Sequence, residues 1–154
     1  MDARRVFSLI AACGMAVPAF AQEPVIPRCT WESVAQKHAV NPHLLYAIAT
    51  TESKLRPNVI SPKNKNGTYD IGLMQINSSW LPTLGRYGIN EASLLDSCIN
   101  LDVGAWILAG NMKRHGNTWK AVGSYNAKDE SKQMIYAKQV LRNVPREAFY
   151  GNAQ

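Results

Sequence analysis

Cysteine and histidine are scarce, with three of each in 154 residues. His38, His43 and His115 show no ligand spacing with acidic partners, which argues against a metal enzyme, and nothing in the sequence asks for a cofactor. Internal repeats and low-complexity segments are absent. No apolar run is long enough to be a membrane helix, so no membrane span is expected. Basic residues exceed acidic ones, giving a formal charge of +6, yet they are scattered. The tightest cluster, Lys54, Arg56, Lys63 and Lys65, lacks the interleaved aromatics of a nucleic-acid platform, and no nucleic acid is expected. Solvated surface is the preferred explanation for these charges, and cell-wall carboxylates are a better match than nucleic acid if an anion binds.

At the N-terminus, Arg4 and Arg5 precede a short apolar core from Val6 to Val17, and Ala19-Phe20-Ala21 follows. This order reads as a secretory signal peptide, residues 1–21, and predicts a periplasmic protein. Leu9-Ile10-Ala11-Ala12-Cys13 also resembles a lipoprotein processing site, with a lipid on Cys13 as the rival outcome. The apolar core before Cys13 is unusually short for that, so soluble export is preferred. Cleavage leaves 133 residues (154 minus 21), one domain able to bury about two-thirds of its unfolded surface. A monomer is expected. Cys29 and Cys98 are then the remaining cysteines, and an oxidising compartment favours one disulfide over two buried thiols. Closing a loop of this length stabilises by about 4 kcal/mol in the chain-entropy picture.

After a Pro-containing lead (22–28), Thr30 caps a predicted helix over Trp31 to His38. Asn41 and Pro42 start a second helix, whose Leu44, Leu45, Ile48 and Ala49 form an apolar stripe running to about Ser53. Lys54 to Gly67 reads as a long irregular loop, and such loops inside compact domains usually serve function. Thr68 to Ile76 predicts a short strand or hairpin, followed by a brief helix around Trp80, Leu81 and Leu84 that Gly85 and Gly88 end. The longest periodic segment, with Ile99, Val103, Trp106, Ile107 and Gly110, predicts a central buried helix stopped at Gly116. Thr118 caps a helix through Tyr125, and Gln133 to Arg142 forms the last one, with Ile135, Gln139 and Arg142 on one side and Tyr136 and Val140 on another. Residues 143–154 read as a loosely ordered tail. The expected fold is mainly α with a small β-hairpin.

Most acidic side chains read as surface charges. Glu52 differs: it follows Ala49, Ile48 and Leu45 at helical spacing, which puts it on their apolar face in the last turn. Desolvation and the negative end of the helix dipole both disfavour its charge and raise its pKa, as a general acid requires. Helix geometry leaves an equal alternative, a surface ion pair with Lys54 or Arg56.

Four ordered motifs extend this reading. Glu52-Ser53, Gly72-Leu73-Met74-Gln75-Ile76, Tyr125-Asn126-Ala127 and Tyr136 together resemble the goose-lysozyme-like lytic transglycosylases. The run from Asn66 to Asn77 (NGTYDIGLMQIN) is similar to the subgroup that accompanies type III and type IV secretion, conjugation and pilus systems, whose components are the implied partners. The likeness covers Cys29 to about Arg142 and implies a lysozyme-like α+β domain over 29–142. It also implies cleavage of the β-1,4 bond between N-acetylmuramic acid and N-acetylglucosamine in peptidoglycan, with a 1,6-anhydro product. In this resemblance Glu52 serves first as acid and then as base. Gln75 and Asn126 reach the N-acetyl group, Tyr125 and Tyr136 line or position the site, Met74 forms apolar groove wall, and Ser53 lies beside the substrate. The blander alternatives are that Gln75 satisfies loop backbone and that Tyr125, Tyr136 and Met74 are core. One departure stands out: Lys128 occupies the position where the family usually has glycine, which bears on substrate fit.

Asp70 sits in the predicted hairpin, facing the helix that carries Glu52. A second carboxylate there suits a retaining mechanism, with Asp70 as nucleophile or cation stabiliser about 5 Å away; a turn Asp bonding nearby backbone is the alternative. A muramidase hydrolysing the same bond with Glu52 and Asp70 is therefore the nearest rival function. A non-catalytic wall-binding assembly factor is the rival from another class.

Overall fold

The computed structural model describes residues 29–150. The expected signal peptide, Cys13 and the lead segment lie outside the described residues. Helix α1 (Trp31–His38) opens with a reciprocal cap, in which Thr30 Oγ1 accepts from Ser33 N at 3.0 Å and Ser33 Oγ accepts from Thr30 N at 2.9 Å. Helix α2 (Pro42–Ser53) starts at the Asn41 cap with proline in its first turn. Its Leu45, Ala47, Ile48 and Ala49 are fully buried, so α2 enters the core along one face, as its apolar spacing requires.

The axis of the domain is α4 (Ser97–His115), capped by Asp96, whose side chain accepts from Cys98 N and Ile99 N. Helix α4 packs against α1, α2 and α5 (Trp119–Gly123), and α6 (Glu130–Arg142) packs on α2 and α5. The Cys29–Cys98 disulfide ties the segment entering α1 to the first turn of α4. The β element is a two-stranded antiparallel hairpin, β1 (Asp70–Ile71) and β2 (Ile76–Asn77), with Asp70 opposite Asn77 and Ile71 opposite Ile76. It stands beside the helical body, and Ile71, Met74 and Ile76 root it in the core.

Several boundaries differ from the sequence reading. The long loop is not wholly irregular, because Ile60 bridges to Ile71 and stitches it to the hairpin. Gly85 does not end the short helix α3 (Leu81–Leu84): a 3-10 turn over Gly85–Tyr87 continues it, and the chain reverses at Gly88 with φ +73°. Helix α5 stops at Gly123 rather than Tyr125, and α6 begins at Glu130, three residues before the predicted Gln133, because Asp129 accepts from Lys132 N and caps it. The face division within α6 holds, with Tyr136 and Val140 buried and Ile135 exposed. Just beyond α6, within the expected tail, Asn143 Nδ2 donates to Thr51 Oγ1 at 2.9 Å, Val144 packs on the core, and α7 (Glu147–Tyr150) follows; residues 151–154 lie outside the described residues. Among the described residues no helix is long and apolar enough to cross a membrane.

Candidate active site

Between the hairpin and the helices lies an open cleft of about 1170 Å³. Glu52 enters it from the last turn of α2, and Asp70 enters from β1. Tyr136, on the buried face of α6, donates its hydroxyl proton to Glu52 Oε1 at 2.5 Å. Burial pushes the Glu52 carboxyl up to about 7; the Tyr136 hydrogen bond opposes this, and the charge of Asp70 adds to it. The two tyrosines near the acid, Tyr136 and Tyr125, are both held well above the ordinary phenol value, chiefly by burial and then by the Glu52 charge, so both remain proton donors. The alternative ion pair is not made. Among the described residues no salt bridge involves Glu52, and Arg56 turns its Nε to the Ser53 carbonyl at 2.8 Å.

The wall opposite α6 depends on the turn from Gly72 to Gln75. Three groups hold it. Asn100, fully buried in α4, accepts from Met74 N at 2.7 Å and donates to the carbonyls of Ile71 at 2.9 Å and Leu94 at 2.7 Å. Ser53 donates to the Leu73 carbonyl at 2.7 Å, and Tyr125 donates to the Met74 carbonyl at 3.0 Å. Gly72 is required here twice over: its φ is +77°, and a Cβ would lie 2.2 Å from Asn100 Nδ2. Gln75 shares the positive-φ geometry at +48°, and its Nε2 donates to Val59 O at 3.1 Å and Gly72 O at 2.9 Å.

These contacts sort the expected site residues. Glu52, Asp70, Gln75, Tyr125 and Asn126 line the cleft together. Ser53, expected beside substrate, does not: it is 1 % exposed and joins α2 to the Leu73 carbonyl, making it a positioning residue. Met74, expected as groove wall, is instead fully buried beneath the cleft against Gly104 of α4, where a Cβ would come within 2.8 Å of its side chain. Tyr136 is likewise core, but its hydroxyl alone reaches the acid. For Gln75 the amide nitrogen satisfies loop backbone, and its Oε1 makes no hydrogen bond among the described residues.

Asp70 is set by side chains rather than by helix packing. Its Oδ1 accepts from Asn77 Nδ2 at 2.8 Å across the hairpin register, and its backbone N–H donates to Ser61 Oγ at 2.9 Å. Asn64 Nδ2 and Ser61 Oγ stand 3.4 Å from Oδ2. Two positioning residues escaped the sequence reading. Asn100 carried a usable signal, a polar amide at the apolar face of the predicted central helix; Asn77 closes the NGTYDIGLMQIN run and caps the turn that follows it, but its bond to Asp70 depends on register, which the sequence does not display. Among the described residues no group of three or more His, Cys, Asp or Glu is placed to hold a metal ion.

Comparison with known proteins bears on the whole of this arrangement. The family model of the transglycosylase SLT domain matches residues 29–139. Invasion protein IagB of Salmonella typhimurium is 42% identical over 118 residues, covering 73% of this chain and 73% of that protein. X polypeptide of Escherichia coli is 37% identical over 119 residues, covering 73% of this chain and 70% of its own length. A peptidoglycan-binding-like protein of Escherichia coli O157:H7 is 38% identical over 112 residues, with 66% of this chain and 67% of that protein covered. The X-ray structure of an inactive mutant of lytic transglycosylase Slt from Pseudomonas aeruginosa superimposes with a TM-score of 0.63 at 21% identity. That match covers 84% of this chain but only 25% of the other, so it establishes the shared fold. With the matched segment spanning both cleft walls, the acid-bearing helix and the tyrosine that reaches it, the chain belongs to the transglycosylase SLT domain family.

Proposed function

We propose that this protein is a peptidoglycan lytic transglycosylase, exported to the periplasm, with Glu52 as its single acid and base. The observation that carries the reading is the Glu52 carboxyl, pushed up to about 7 inside the cleft and held by Tyr136, in a chain of this family. At neutral pH a large fraction of Glu52 is protonated. Its proton passes to the glycosidic oxygen as the bond from the muramic acid C1 breaks. The 6-hydroxyl oxygen of the same sugar then bonds to C1, and its proton returns to the Glu52 carboxylate. No water is consumed, and the acid is regenerated in one turnover.

The remaining residues have defined tasks. Tyr136 fixes one carboxyl oxygen and offers a hydrogen bond that strengthens when Glu52 ionises. Tyr125 holds the Met74 carbonyl and so keeps Gln75 at the cleft. The free Oε1 of Gln75 and the exposed amide of Asn126 are placed to bond the N-acetyl group. Asp70 stabilises the positive charge that develops at C1. The resemblance of the NGTYDIGLMQIN run to the secretion-associated subgroup, together with a relative named as an invasion protein, supports local opening of the wall for a secretion, conjugation or pilus apparatus.

A second reading rests on Asp70, which faces the same cleft. With Asp70 acting as nucleophile, the protein is a muramidase that adds water across the same bond. Digestion of purified sacculi separates the two by product mass, because anhydro muropeptides are lighter by one water. Wild type is expected to release the anhydro form and Glu52→Gln to release almost nothing. Equal digestion by the two proteins would leave a non-catalytic wall-binding factor as the function.

A further inference from the structure

Besides Tyr125, one other large aromatic side chain lines the cleft among the described residues, Trp80. Tyr125 spends its hydroxyl on the Met74 carbonyl, whereas Trp80 supports neither the acid nor the Gly72 to Gln75 turn. It ends the 3-10 turn Ser78–Trp80, which leads from β2 into α3.

That turn is fastened to the hairpin wall. Asn77 Oδ1 accepts from Ser79 N at 3.1 Å while its Nδ2 donates to Asp70 Oδ1 at 2.8 Å, so one amide orients both the carboxylate and the turn that carries Trp80. Ser78 N donates to the Tyr69 carbonyl at 2.7 Å, and Tyr69 N donates to Ser78 Oγ at 3.1 Å. The indole ring is steadied by Trp106 of α4, edge to face, with ring centroids 5.4 Å apart and planes at 74°. Whichever ring presents its edge, Trp106 covers at most one face of Trp80. The pair stands at the surface, with Trp106 40% exposed and Trp80 half-buried. Packing on the core explains the inner part of Trp80, but that role does not require the ring to open into a cleft where its neighbours Asn77 and Ser79 are polar.

We infer that Trp80 is the stacking platform of a glycan subsite, holding an N-acetylhexosamine ring outside the pair joined by the breaking bond. This rests on the proposed action on peptidoglycan and adds a residue that sets how long a strand the cleft grips. Sugars of this class joined β-1,4 carry their ring substituents equatorially, so each face of the ring shows axial C–H bonds. Those faces are apolar and slightly positive, and they match the negative face of an indole. One 3-10 turn, about 6 Å, separates Trp80 from Asn77, the residue that holds Asp70. The platform is therefore set apart from the reacting atoms, and its rigid mounting lets a sugar bind without first ordering the ring.

The experiment compares Trp80→Phe, which keeps a flat aromatic face, with Trp80→Leu, which keeps apolar packing on the core but has no such face. Calorimetric titration with chitotetraose, a soluble N-acetylglucosamine tetramer, is done in the non-cleaving Glu52→Gln background. Leucine is expected to weaken binding about tenfold, the scale of one well-packed aromatic face, and phenylalanine about threefold or less. In the Glu52 enzyme acting on solubilised glycan strands, Trp80→Leu raises KM about tenfold with kcat within about twofold of wild type, because a ring held away from the breaking bond is gripped equally in the ground and transition states. A merely structural role would misplace Asp70 through Asn77 and lower kcat instead. Equal affinity of the leucine variant and its parent for chitotetraose would overturn the subsite, as would a loss confined to kcat. Neither result touches the transglycosylase reading, which fails separately if wild type leaves sacculi uncut.

Discussion

The two walls of the cleft each present a carboxylate, and they do so by different means. On the helical wall, Glu52 emerges from an apolar helix face into a dry setting with one donor, Tyr136, at 2.5 Å. On the hairpin wall, Asp70 lies among amides and hydroxyls, with Asn77 Nδ2 at 2.8 Å and Ser61 and Asn64 nearby. Desolvation dominates the first and raises the acid to about 7. Side-chain donors orient the second, and its charge contributes to raising Glu52 across the cleft. A helix face and a hairpin edge thus give one functional group two settings, a largely desolvated one on the helical wall and a hydrogen-bonded one on the hairpin wall.

The largest test of this contrast is Glu52→Gln. Cleavage of sacculi should fall by at least about a thousandfold, while stability moves the other way. Because the folded acid holds its proton to higher pH than the unfolded one, ionisation of the unfolded chain draws stability away as pH rises from the ordinary carboxyl value of 4.5 through about 7. Glutamine removes that loss. Denaturant unfolding should show the variant more stable than wild type by about 3 kcal/mol at about pH 8, with the gain absent at about pH 4.

Gly72→Ala attacks the other wall through its support. The added methyl meets Asn100 and the Leu94 carbonyl in a backbone held at φ +77°, so unfolding free energy should drop by about 3 kcal/mol. Urea titration measures it, and an unchanged midpoint would refute the assigned turn geometry.

Asp70→Asn and Tyr136→Phe then separate the two influences on the acid, since their effects on the alkaline limb of kcat/KM should have opposite signs. Asparagine removes a charge that raises Glu52, so the limb moves to lower pH, with turnover reduced about a hundredfold through lost charge stabilisation. Phenylalanine removes the hydrogen bond that lowers Glu52, so the limb moves to higher pH, with a smaller loss of about tenfold. Shifts in the same direction would undo the comparison. An Asp70→Asn enzyme with full turnover would remove Asp70 from the chemistry.

Much of this arrangement was legible along the chain because it depends on short-range chemistry. The Thr30 and Asn41 caps, the apolar stripe of α2 and the stop at Gly116 are local signals that tertiary packing reinforced. The boundaries that slipped did so where a cap was overlooked, as with Asp129, or where a 3-10 turn carried the chain through a glycine expected to end it, as at Gly85. Site residues divided by depth. Glu52 and Asp70 line the cleft, whereas Ser53 and Met74 are buried away from it, because a motif records which residues belong together without saying which of them touch a ligand.

Helical spacing alone determined that Glu52 stands on an apolar face, since three and four residues back along a helix return to the same side. It could not determine whether that face would be covered. Coverage came from α6, which brings Tyr136 to the carboxyl from 84 residues away, and from Asn100, which anchors the hairpin turn to α4. Desolvation and directed hydrogen bonds depend on distances of a few ångströms between segments remote in sequence, and only their packing sets those distances.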